Sequence, residues 1–245
     1  MRRTVSTAAW RYHEAPCGIS GLAGAWSWQS VGIARAVFPV PPDGCSDVVW
    51  RETPSGVWHA RLLPPTTRGF FYPVRLGERL RGVRLLPGQV QALFGVKPGA
   101  MDLDGIDLGA GFRLQTPKPS GWAEQRDLAL NDCIVQVLMA GMGPCEVAER
   151  LGLHSRTLRR RMQDVAGCSP KELQRMWRLR RAIYSATKTV QPDWSDVAAA
   201  TGFTDQSHLI RDCRSLMEGT PVEIHHLMRQ GRMSVSYNTP EAQPS

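Results

Sequence analysis

One segment of this chain is used twice. Val147-Ala148-Glu149-Arg150-Leu151-Gly152-Leu153 reappears as Val197-Ala198-Ala199-Ala200-Thr201-Gly202-Phe203, with Val, Ala and Gly matched at an offset of 50. The next stretches, Leu158–Met162 and Leu209–Cys213, match in pattern at an offset of 51, as do the endings Cys168-Ser169-Pro170-Lys171-Glu172 and Gly219-Thr220-Pro221-Val222-Glu223. A repeat of this length is one supersecondary unit employed twice, with one residue inserted in the second turn.

Each copy spells a helix, a turn and a second helix. An Ala allows close helix approach, a Gly tolerates the left-handed backbone of the turn, and Leu153 or Phe203 anchors that turn in a core. Ser155 and Asp205 are the residue types that cap helix N-termini, so each is expected to open a second helix. In the first of these helices Leu158, Met162 and Val165 form an apolar stripe, which turns Arg156, Arg160 and Gln163 outward with Arg159 on the flank. In the second, a stripe of Leu209, Cys213 and Leu216 leaves Ser207, Arg211 and Arg214 outside. Outward Arg side chains suit guanine edges or phosphates, and Gln and Ser suit either. A plain helical hairpin is the competing reading of one copy; two copies with matching caps favour the helix-turn-helix.

Charge adds to this. The chain has 30 Lys and Arg against 22 Asp and Glu, a net +8, which suits an acidic partner. From Arg150 to Arg181 there are ten basic residues against Asp164 and Glu172. The excess is not confined there, because residues 1–120 hold 14 basic and 8 acidic groups.

The first part of the chain has another texture. Residues 1–114 are rich in Gly, Pro, Trp and β-branched residues, with strands expected near residues 36–38, 47–50, 69–76 and 80–85, a short helix over 87–94, and irregular chain over 100–108. Gln115-Thr116-Pro117-Lys118-Pro119-Ser120-Gly121 reads as a linker. Helical periodicity then runs over residues 122–232, and residues 233–245 are expected to be a disordered tail. The fold class expected is α+β in two domains: a β-rich N-terminal domain, then an all-α domain of two helix-turn-helix units joined by a long helix.

At these residues a resemblance can be named. Ser155-Arg156-Thr157-Leu158-Arg159-Arg160-Arg161-Met162, closing on Gly167-Cys168-Ser169-Pro170, resembles the first reader of the AraC/XylS transcription regulators. Gly202-Phe203-Thr204-Asp205-Gln206-Ser207-His208-Leu209-Ile210-Arg211 resembles the second. The resemblance implies two units joined by a helix from about Pro170 to Thr187 and entering successive major grooves on one face of double-stranded DNA. It also implies a small-molecule effector, a homodimer and, for an activator, RNA polymerase as partners. The chain departs from the family in having Met162, Leu209 and Cys213 where Phe is usual, and Glu218-Gly219 where Gly comes first. In the front half, Pro42-Asp43-Gly44-Cys45-Ser46-Asp47-Val48-Val49-Trp50 and Gly82-Val83-Arg84-Leu85-Leu86-Pro87-Gly88 resemble the N-terminal domain of a subset of these regulators. By that analogy the half senses or dimerises, with Asp43, Asp47, Trp50 and Arg84 lining a ligand pocket. Turn formation, a buried aromatic and a strand-edge charge explain the same four residues.

Other classes find less support. Met1-Arg2-Arg3 is followed by no apolar run of signal-peptide length, and no window reaches the roughly 20 apolar residues of a membrane span, so a cytoplasmic protein with no membrane role is expected. The six cysteines lie far apart and read as buried thiols, and the histidines form no HxxxH or HExxH, so neither metal nor cofactor is expected. A metal-held reactive cysteine, as in alkylation-repair enzymes that share this DNA-binding module, would need more than Cys17 and Cys45 in the front half. With no Gly-x-Ser-x-Gly elbow or Walker loop either, the chain is not expected to be an enzyme. The remaining alternative is a helical protein-interaction module that has lost DNA binding.

Overall fold

The computed structural model describes residues 9–16, 22–31, 36–114 and 122–235. The expected linker, residues 115–121, and Cys17 lie outside them. The β-rich part is built on β1 (Trp10–Ala15), β2 (Leu22–Ser30), β3 (Val37–Val40), β4 (Ser46–Glu52), β5 (Trp58–Leu63), β6 (Phe70–Pro73), β7 (Arg79–Leu85) and β8 (Ile106–Ala110), with a short helix α1 (Gln89–Phe94) after β7. The helical part is α2 (Trp122–Met139), α3 (Pro144–Arg150), α4 (Ser155–Ala166), α5 (Pro170–Ala186), α6 (Trp194–Ala200), α7 (Gln206–Met217) and α8 (Pro221–Met228). This is the α+β, two-domain layout read from the sequence.

Two readings need correction. Residues 233–235, assigned to a disordered tail, belong to a last strand, β9 (Arg232–Val235), which pairs in parallel with β1. The alternation of Met233 and Val235, packed against the core, with outward Arg232 and Ser234 makes this short run a strand once an edge is offered to it. Likewise Ile106 to Leu108, read as irregular, opens β8, antiparallel to β5.

Seven strands form one sheet in the order β8-β5-β4-β7-β2-β1-β9, and β3 and β6 pair separately. Alternation along β1 sends Trp10, Tyr12 and Glu14 to the buried face and leaves Arg11 and His13 exposed. That buried face meets Phe38 of β3 and the second helical unit in one continuous core, where Trp10, Tyr12, Trp28 and Leu80 pack with Leu179, Ile183, Met217 and Met228. The first helical unit has its own core of Ile134, Leu138, Val147, Leu158, Met162, Leu173 and Met176, which also takes in Cys45 and Leu86 from the β-rich part. Helix α5 serves both, placing Leu173 and Met176 in one core and Leu179 and Ile183 in the other.

Where the family has Phe, Met162, Leu209 and Cys213 are all essentially inaccessible, so the smaller side chains are accommodated without exposing the core. Of the cysteines, Cys45, Cys168 and Cys213 are buried thiols, but Cys133 and Cys145 are exposed, against the expectation of burial for all.

Candidate nucleic-acid interface

The turn between α3 and α4 passes through Gly152 at φ 61°, and that between α6 and α7 through Gly202 at φ 81°; a side chain is strained in that region, which is why the repeat keeps Gly there. The start of the second helix differs between copies. Asp205 caps α7, its carboxylate accepting from the His208 N–H at 2.7 Å. In the first unit, however, the cap position belongs to His154, with no side-chain bond, and Ser155 is already the first helical residue. The capping role expected of Ser155 is therefore not realised. Asp205 corresponds to His154 at an offset of 51, so the inserted residue of the repeat is Thr204. Both units end on the same device. Ser169 with Glu172 opens α5, and Thr220 with Glu223 opens α8, each as a reciprocal capping box followed by Pro.

The seven residues singled out for DNA all stand exposed: Arg156, Arg159, Arg160 and Gln163 on α4, and Ser207, Arg211 and Arg214 on α7. At the repeat offset of 51 six of them fall into pairs, Arg156 with Ser207, Arg160 with Arg211, and Gln163 with Arg214, while Arg159 falls opposite Ile210. None of the described residues engages the guanidiniums of Arg156, Arg159, Arg160 or Arg211 in a hydrogen bond or ion pair. Gln163 is different: its amide donates to the Gly167 carbonyl at 3.0 Å, closing the last turn of its own helix.

Of the other arginines of the basic stretch, all but Arg181 are occupied. Arg161 donates to Asn131 at 2.5 Å and to the Asp127 carboxylate at 3.0 Å, fastening α4 to α2. Arg175 and Arg178 of α5 reach Asp212 of α7 at 2.8 and 3.2 Å, and Arg150 pairs with Glu146 at 2.9 Å. Arg180 is 1% exposed. The count of ten basic residues thus overstates what the surface offers; the outward cluster on α4 is Arg156, Arg159 and Arg160.

Sequence reasoning passed over Asp212, 5% exposed on the inner side of α7. Its position on the buried flank, among Leu209, Cys213 and Leu216, was the available signal: an acid there must be paired.

The four residues assigned to a ligand pocket part company. Asp43, Asp47 and Arg84 converge in a buried cluster with Glu14 of β1 and Arg180 of α5. Arg84 meets Glu14 directly and lies 3.0 Å from Asp43 and 3.6 Å from Asp47, while Arg180 lies 2.8 Å from Glu14 and 3.2 Å from Asp43. Trp177 of α5 donates to the Asp43 carbonyl at 2.7 Å, and Trp26 to Asp47 at 2.7 Å. Burial works to raise the Glu14 carboxyl, but Arg180 and Arg84 outweigh it and hold that group at about 2. Asp47 goes the other way: burial, opposed by Arg84 but reinforced by the neighbouring Asp43 carboxylate, lifts it to about 6. Three acids and two bases thus join the sheet to the helix shared by both units. Trp50 takes no part, since its side chain is on the opposite face of β4, donating to the Phe112 carbonyl at 3.1 Å.

No helix among the described residues is long and apolar enough to cross a membrane, and no three His, Cys, Asp or Glu side chains among them are grouped to hold a metal ion.

Residues 147–226, about a third of the chain, match the family model of a helix-turn-helix domain. No curated protein matches the sequence. Among solved structures, the chain is similar to a transcriptional regulator of Chromobacterium violaceum described by its AraC-type DNA-binding domain, with 21% identity over 45% of this chain and 98% of that one (TM-score 0.37). It is also similar to a probable AraC family transcriptional regulator of Rhodopseudomonas palustris, with 22% identity over 42% and 94% (TM-score 0.34). ToxT of Vibrio cholerae aligns over more of the chain, 83% of this one and 97% of that one, at 10% identity and a TM-score of 0.44.

Proposed function

We propose that this DNA-binding regulator, with its AraC-type helix-turn-helix domain behind a β-rich N-terminal domain, reads two successive major grooves of one operator. The observation that carries the proposal is the repeated placement on α4 and α7 of exposed arginines without a protein partner among the described residues, Arg156, Arg159, Arg160 and Arg211, while Arg161, Arg175 and Arg178 are tied to neighbouring helices. Arg156 and Arg160 sit in the first two turns of α4 and approach base edges; Arg159 on the flank holds phosphate. Ser207 and Arg211 do the corresponding work on α7, and Arg214, a turn further on, holds phosphate. Gln163 contributes through its free carbonyl oxygen while its amide stays on the Gly167 carbonyl. Control by an effector through Asp43, Asp47, Trp50 and Arg84, dimerisation and contact with RNA polymerase rest on the family resemblance alone.

The test is a binding selection from random duplexes with the full chain at near-physiological salt. Recovery of two short elements about one helical turn apart is the expected result. One element alone would remove the reading role of Ser207 and Arg211. No enrichment, together with affinity indifferent to salt, would favour the helical interaction module, because phosphate contacts release counterions and make binding fall steeply as salt rises.

A further inference from the structure

The second face of the sheet, opposite the one packed on α5, is covered only in part. Val90 of α1 clusters there with Val48, Leu62 and Leu85, which closes the end of the face nearest β5. At the other end the register sets exposed residues in rows. One row runs Arg232, Arg11, Gln29 and Arg79 across β9, β1, β2 and β7, and the next runs Ser234, His13, Ser27 and Arg81. Arg11 and Arg232 are direct cross-strand neighbours, about 4.8 Å apart at the backbone. Neither has a hydrogen-bond or ion-pair partner among the described residues. Like charges so placed repel unless an anion lies between them. Of the four arginines, Arg79 alone is ion-paired among the described residues, with Glu52 at 3.2 Å.

The extent of the rows points to a repeating anion. Arg232 and Arg79 are three strand spacings apart, roughly 14 Å, a span that suits successive phosphates rather than one anionic group. Flat apolar groups lie beside the cations. Trp58 is half-buried with Arg81 over its ring, 4.4 Å from the centroid, and Trp50 of β4 continues the row of Arg81. Two adjoining hollows of about 430 and 540 Å³ both take in Trp58 and Arg81. Hollow ground of this kind fits a flat lipid surface poorly, and a duplex keeps its bases stacked inside, out of reach of an indole. A single strand offers both parts, phosphates for the arginines and unstacked bases for the indoles.

We propose that this part of the sheet binds single-stranded nucleic acid, with Arg11, Arg79, Arg81 and Arg232 along the phosphates and Trp58 stacking on a base. A strand held here needs no duplex, so the proposal stands or falls separately from the operator reading.

The probes are fluorescein-labelled oligo(U) and oligo(dT) of about 12 residues, titrated with the full chain and followed by anisotropy. The expected result is saturable binding that falls steeply with salt and is about fivefold or more weaker in Arg11→Ala, Arg81→Ala and Trp58→Ala. The tighter of the two probes identifies the sugar of the strand. Trp58→Phe should restore most of the affinity, which separates stacking from a damaged fold. Arg75→Ala, on a loop away from these rows, should bind like the parent, and Arg81→Ala should keep the parent's affinity for random duplex DNA. No binding of either probe, or affinity unchanged in Arg11→Ala and Arg81→Ala, would overturn the proposal. So would arginine-dependent binding that Trp58→Ala leaves intact, the mark of a general polyanion patch. Loss in Arg160→Ala in place of Arg81→Ala would also overturn it, by putting the strand on α4.

Discussion

The two helix-turn-helix units share a plan and differ in what fastens it. Their apolar positions correspond, Leu158 to Leu209, Met162 to Cys213 and Ala166 to Met217, all buried. At the next position of the repeat, the first unit has Arg161 and the second Asp212. Each ties the second helix of its unit to the long helix before it, with the charges reversed: Arg161 to Asp127 on α2, Asp212 to Arg175 and Arg178 on α5. An ion link at this point of the unit is maintained while its polarity is free. The reversal is not neutral for charge, because the first unit uses up a base on its second helix and the second carries an acid there. The helix ends differ too. Gly167 closes α4 at φ 68°, whereas Glu218 closes α7 at φ 56°, the one non-glycine residue with positive φ among the described residues.

The sharpest way to break this comparison is to remove each link. Asp212→Ala strands two arginines against a buried site and should cost about 2–4 kcal/mol in denaturant unfolding. Arg161→Ala, whose partner Asp127 is largely exposed, should cost about 1 kcal/mol or less. Equal losses would mean that the two links are equivalent after all.

A second test asks what both units share, the cluster reached through Arg180. Asp47 titrates near 6 in the folded chain, above its ordinary 3.8, so the folded form loses stability relative to the unfolded as pH rises between those values. Asp47→Asn removes that loss: its advantage over the parent should grow from about pH 4 to 6 and reach roughly 1–3 kcal/mol at pH 7. Glu14 has the opposite sign, with its contribution present above about 4.5 and lost as pH falls toward about 2. An advantage for Asp47→Asn that is flat with pH would refute the assignment.

On DNA, Arg160→Ala should cost about 1–3 kcal/mol of affinity and relax preference at one position of the first element. Arg211→Ala, its counterpart in the less basic unit, should cost less; the reverse order in competition binding would make the second unit the principal reader. Smallest is the helix end. Glu218→Gly should stabilise the fold by about 1 kcal/mol by relieving a left-handed side chain, and Gly167→Ala should destabilise it by a similar amount.

Much of the helical part was legible because its signals are local: a glycine at each turn, Ser or Thr before Pro with Glu two residues further on, apolar residues three and four apart. The slip at Ser155 came from carrying the offset of 50 one residue too far. The β-rich part was legible in β3, β4, β6 and β7 but not in β1, where inward Glu14 breaks the apolar alternation. Its justification is Arg180, 166 residues later in the chain. Asp43, Asp47 and Arg84 were singled out by the resemblance of their segments to an N-terminal regulator domain, yet what they face could not be read from their own neighbourhood. Asp212 was hidden in the same way, its partners lying on another helix.

Strand β9 follows the second helix-turn-helix unit and lies against β1, near the start of the described chain. The DNA-binding part is in this sense an insertion within the sheet, bracketed by two of its strands. On a ribosome the sheet would stay one strand short until both helical units had been made, and a cut after residue 231 would leave β1 as a bare edge, open to pairing with another chain. The two halves are therefore not modules that can be separated at the linker and recombined.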